Sequence, residues 1–136
     1  MADGYALALQ KAVYSHLSAN AELAAIVGVS IGGRALDEWQ RPYVIIFEGR
    51  TVRPIRSDCG AAATVTFSIV AHAHPDFGKT QAENCRDIIV ESLDKASLSP
   101  LPYDLVRLQY VTDTIDVDND GASYSAIVAF EALLDG

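Results

Sequence analysis

Three features of the sequence predict an α+β fold built on a mainly antiparallel sheet. Apolar residues recur at helical spacing in only two substantial stretches, one near the N-terminus and one over residues 80–96. Other runs are rich in β-branched and aromatic residues, and some alternate apolar with polar along the chain. Helices and strands also come in blocks, in the order α, short α, β, β, β, α, β, β, which gives about five strands and two principal helices. Residues 1–136 read as a single domain, without internal repeat, low-complexity tract or linker.

The first helix is expected over residues 6–17, where Ala6, Leu9, Val13 and Leu17 form one apolar stripe and Asp3 is a candidate N-cap. A short second helix over residues 21–27 starts at Ser18 or Asn20 and stops at Gly28. Residues 29–36, with Gly32-Gly33 inside, predict a brief strand and a turn. Pro42 introduces a strand over residues 43–52 with a continuous apolar centre, Val44 to Phe47, and residues 53–60 read as a loop or the tip of a long hairpin. Residues 63–73 alternate, with Val65, Phe67, Ile69 and Ala71 on one face, so this strand is half-exposed. Thr80 and Glu83 fit a capping box for the next helix, whose core stripe is Ala82, Cys85, Ile89 and Leu93. Two last strands, over residues 105–114 and 123–133, flank an acidic turn. The second of them is partly apolar on both faces, which places it centrally or at an interface.

With 136 residues the chain is long enough for its own core and needs no metal or disulfide to fold. Its longest apolar runs are far too short to span a bilayer, and the N-terminus has an acid where a signal peptide needs bases, so no membrane partner and a cytoplasmic site of synthesis are expected. Cys59 and Cys85 form no Cys-x-x-Cys pair and read as free thiols, with Cys85 in the core. The net charge of −8 is uneven: residues 1–56 carry six basic and five acidic side chains, residues 57–136 four and thirteen. So acidic a chain is unsuited to gripping nucleic acid, though it can surround DNA without holding it.

Little in the sequence carries catalytic chemistry. His72 and His74 share a strand-end face but lack further ligands nearby, and read as a solvated strand end. Asp116, Asp118, Asp120 and Gly121 copy the first half of a calcium loop, yet its twelfth position is Ile127 and the flanks read as strands, so this reads as an acidic hairpin turn, with a weak calcium site as the lesser reading. No phosphate loop or nucleophile elbow is present, and no cofactor is implied. The chain reads as non-enzymatic. Arg50, Arg53 and Arg56 are either a solvated loop or a basic interface patch that meets the acidic half of a neighbouring copy, head to tail. Trp39, beside Arg41, is either core or a binding hot spot. These residues, with Asp116, Asp118 and Asp120, are the candidate interface.

Four stretches also carry a family likeness: the helix from Ala6 followed by the alanine-rich one ending at Gly28; Pro42-Tyr43-Val44; the strand Val65 to His72 leading to a helix that ends Ser92-Leu93-Asp94; and the closing hairpin through Asp118-Asn119-Asp120-Gly121. In this layout the whole chain resembles the tail-completion, or tail terminator, family of long-tailed phages and gene-transfer-agent-like particles. The resemblance implies a virion structural protein that forms a ring, usually of six, at the tail–neck junction. The ring ends the tail tube, meets the head-side connector or stopper protein, and lets DNA pass through its lumen without specific binding. It implies no catalytic residues. A head–tail stopper or adaptor of the neck, and a small α+β enzyme or ligand-binding domain, are the competing readings.

Overall fold

The computed structural model describes residues 2–28, 30–34, 39–57, 60–117 and 123–136. The elements follow the expected order: α1 (Ala2–Ser18), α2 (Ala21–Val27), β1 (Ile31–Gly32), β2 (Tyr43–Ser57), β3 (Gly60–His72), α3 (Gly78–Leu93), β4 (Asp104–Val117) and β5 (Tyr124–Asp135). The five strands make one sheet in the order β1-β2-β3-β5-β4. Among the described residues only the short β1–β2 pairing is parallel; the other three are antiparallel.

The two principal helices cover one face of this sheet. The stripe Ala6, Leu9, Val13 and Leu17 of α1 and the stripe Ala82, Cys85, Ile89 and Leu93 of α3 are buried. They join one core with Val65, Phe67, Ile69 and Ala71 of β3 and Ala126, Val128, Phe130, Ala132 and Leu134 of β5. The opposite face carries the alternate residues, from Thr64 and Thr66 on β3 to Ile127 and Ala129 on β5, and is only partly buried. β5 lies between β3 and β4, as its two apolar faces foretold.

An aromatic row crosses the core at mid-height, one ring from each long strand. Phe47 of β2 stacks on Phe67 of β3 with centroids 4.3 Å apart, Phe67 lies 5.7 Å from Phe130 of β5, and Phe130 meets Tyr110 of β4 edge-on at 6.3 Å. Strict alternation after buried Ile46 would turn Phe47 to the other face. A bulge between Ile46 and Arg50, with Phe47 at φ 54°, re-aims the ring so that it stacks with Phe67. A positive φ is rare for so bulky a residue, and the stacking offsets its cost.

Local signals differ from expectation in two places. Asp3 lies inside α1 rather than before it. The capping box does not form: α3 starts at Gly78 after Phe77, which makes no side-chain cap bond, and Gln81 Oε1 instead accepts the His74 backbone N–H. Of the two readings of residues 53–60, the long hairpin holds: residues 53–57 continue β2, each with a partner on β3 down to Ser57 opposite Gly60. Likewise α2 is capped as expected, with Asn20 Oδ1 accepting from Leu23 N and the Gly28 N–H donating to Ala24 O.

Candidate interface

The strand registers place the expected interface residues at opposite corners of the sheet. Arg53 lies opposite Thr64, which lies opposite Leu133, which lies opposite Arg107. Asp116 belongs to another row, with Ser125, His72 and Tyr43. Arg53 is therefore at the hairpin end of one edge, and Asp116 at the far end of the other. Arg50 pairs with Phe67 and Arg53 with Thr64, so the two arginines occupy register positions on opposite faces of β2 rather than forming one cluster. Both are exposed. For Arg56 only its backbone position opposite Ala61 is described. Asp116 is exposed, while Asp118 and Asp120 lie outside the described residues, as does Cys59.

Trp39 and Arg41 sit at the Asp116 end of the sheet, on the β2 side. Trp39 is half-buried: its ring is 6.0 Å from Tyr43, which in turn lies 4.8 Å from the His72 imidazole. A Cβ added to Gly32 would come within 3.1 Å of the Trp39 ring, so glycine there allows the indole to lie close to β1. Arg41 donates to the Ala73 carbonyl at 3.3 Å. This places Trp39 between the two sequence readings, as one end of an aromatic row on the open face.

The two histidines of this end have separate partners. His72 Nδ1 is 2.9 Å from the Ser125 hydroxyl, and His74 Nδ1 accepts the Asp76 N–H at 3.0 Å. Among the described residues no group of three or more His, Cys, Asp or Glu side chains is placed to hold a metal. A concavity of about 500 Å³ between α1 and residues 97–101 is shallow and lined mainly by small residues such as Ala8, Ala12 and Ala19. Its histidine, His16, is held by a 2.8 Å hydrogen bond to the Ser92 carbonyl.

One charged arrangement escaped the sequence reading. Arg86 of α3 pairs with its neighbour Asp87 at 3.0 Å and with Asp113 of β4 at 3.6 Å, and Asp113 also accepts the Tyr110 hydroxyl. These links tie α3 to the edge strand, and nothing in the spacing of residues 86 and 113 announces them. Asp113→Ala should cost about 1–2 kcal/mol, since it removes the acceptor of the Tyr110 phenol and leaves the half-buried Arg86 guanidinium with Asp87 alone. Asp113→Asn, which keeps an acceptor for Tyr110, should lose clearly less. Urea unfolding of both variants measures this, and equal losses would show that the charge rather than the hydrogen bond matters.

The edges of the sheet are unequally protected. The backbone of β4 is capped in its middle by the end of α3: Lys95 N donates to Leu108 O at 2.9 Å, and Asp94 Oδ1 accepts from Tyr110 N at 3.0 Å. Two bulges, between Leu105 and Arg107 and between Tyr110 and Thr112, leave Val106 and Val111 out of register and exposed. On the other edge β1 pairs only with Val44 and Ile45, so the rest of β2 has no strand beside it among the described residues.

Comparison with known proteins agrees with this architecture. A family model described as tail completion protein gp17 matches residues 11–135. No curated protein matches the chain. Among solved structures, a chain in the virion of a native gene transfer agent (GTA) particle superposes with a TM-score of 0.88 at 25% identity, covering 97% of this chain and 98% of that one.

Proposed function

The chain belongs to the tail completion protein gp17 family, and from that premise we propose that it forms a ring that terminates the tail tube and joins it to the head-side connector. Its coarser role, as a structural component of a phage-type tail, follows from the family and from the likeness to a virion chain. The observation that supports a ring is the placement of the charged corners. Arg53 lies at the hairpin end of one edge and Asp116 at the far end of the other. Complementary patches on different surfaces of one subunit fit a head-to-tail contact, which closes when its rotation divides a full turn. A self-complementary patch, as a two-fold dimer needs, is a different arrangement.

A ring of six copies is the stoichiometry we propose, with tail-tube protein on one face and the connector or stopper protein on the other. Its net charge of −8 per subunit suits a lumen that DNA slides through rather than sticks to. We assign no catalytic step to the protein.

The test is termination itself. Purified tail-tube protein is polymerised with and without this chain, and tube lengths are read by electron microscopy. With the chain present, tubes should be shorter and carry extra density at one end. Unchanged lengths with bare ends would refute the terminator reading.

A further inference from the structure

We propose that neighbouring copies in the ring join strand to strand: residues 52–57 of β2 in one subunit run antiparallel beside residues 112–117 of β4 in the next. This inference rests on the ring reading and adds the surfaces that build the ring. Both stretches are sheet edges with no strand on their outer side among the described residues. Edge strands offer unpaired N–H and C=O groups, which natural proteins cover or blunt. Here the cover is selective. Asp94 and Lys95 cap β4 at Leu108 and Tyr110 and go no further. On β2, Pro54 removes one backbone donor from the edge but leaves those on either side.

The chemistry of the two stretches is complementary. Residues 52–57 contain Arg53 and Arg56 and no acid; residues 112–117 contain Asp113 and Asp116 and no base. Each also exposes apolar side chains that a lone subunit leaves in water: Ile55 is 42% exposed and Val117 53%. Opposite charge beside exposed β-branched residues is what cross-strand pairs use. Since each edge finds its complement on the same chain, the occupant is a second copy.

Direction and register fit as well. Strand directions alternate from β2 through β3 and β5 to β4, so β4 of one copy meets β2 of the next antiparallel without either being turned over. Bringing Asp116 beside Arg53 slides one copy along the other by about eight residues, roughly 27 Å at ~3.4 Å per residue. A sheet that closes on itself needs such a stagger, because its strands must slant by about 35–45° to the axis.

The experiment uses the full chain with Cys59→Ser, so that only the buried Cys85 remains as a native thiol. Arg53→Cys and Asp116→Cys variants are mixed, assembled alone or on polymerised tube protein, and oxidised, with Thr114→Cys as a second partner in case the register differs by two residues. Light scattering under reducing conditions reports whether a ring near ~88 kDa, six times 14.6 kDa, has formed. Expected are a ring and disulfide dimers only when an Arg53→Cys subunit meets an Asp116→Cys or Thr114→Cys subunit. In parallel, Arg53→Glu should reduce ring yield at least tenfold, and Asp116→Lys in the partner should restore part of it. A ring without these disulfides, and indifferent to charge reversal, would overturn the strand-to-strand contact and leave the ring standing. No ring with or without tube protein would overturn both. Cross-links from β2 to the tube protein instead would assign this edge to a different partner and also overturn the proposal.

Discussion

Phe67→Ala should lower the unfolding free energy by about 3–5 kcal/mol, the largest loss expected from a single side chain here. Phe67 is 1% exposed and stands in the middle of the aromatic row, between Phe47 and Phe130. Its removal costs the transfer of a whole ring from water, and it opens a cavity that β3, held on both sides by long pairings, cannot collapse to fill. Two ring contacts are lost as well, each worth about 0.5–1.5 kcal/mol beyond area. For a domain whose total stability is of order 5–15 kcal/mol, such a variant sits near its folding threshold. Phe67→Leu keeps most of the volume and should lose less than half as much. Urea midpoints with unchanged slope measure both, and a Phe67→Ala loss below ~1.5 kcal/mol would show that the row is not a packing centre.

The same row shows which parts of the fold were legible in the sequence. Val65, Phe67, Ile69 and Ala71 alternate, and all four are buried where a period of two places them. The stripe of α3 is legible for the same reason. Phe47 is not: an unbroken Val44-Ile45-Ile46-Phe47 run gives no face, and the bulge that turns the ring depends on the partner β3 rather than on local residues. Strand ends were also hidden. Arg53, Pro54 and Arg56 suit a loop or the tip of a long hairpin by type, and only the pairing with β3 decides for the hairpin. The charged side chains of the candidate interface were legible as types but not as places. Arg50, Arg53 and Arg56 look like one cluster at three-residue spacing, whereas an extended strand puts neighbouring members of that series at positions of opposite parity. The Arg86–Asp113 pair has no sequence signal, since it arises only when α3 packs beside β4.

Alkaline pH should destabilise the protein through Cys85 by about 3 kcal/mol. Burial pushes the thiol up from 9.0 to about 11, because its thiolate would lose its hydration against α3 and the sheet. The unfolded chain therefore releases this proton at a lower pH than the folded one. The stability is fully present below pH ~9, falls as pH rises above that, and is spent once pH passes the folded value near 11. Two units at ~1.4 kcal/mol each set the size of the loss. Tyr110 acts in the same direction, its hydroxyl held above the ordinary phenol range by the hydrogen bond to Asp113. Urea midpoints at pH 8 to 11 under reducing conditions should fall in wild type and flatten in Cys85→Ala, which loses a little at pH 8 from the smaller side chain. Tyr110→Phe should remove only the part above pH ~10. A Cys85→Ala curve parallel to wild type would show that the thiol is hydrated in the folded state, and that α3 does not seal the sheet where the buried stripe says it does.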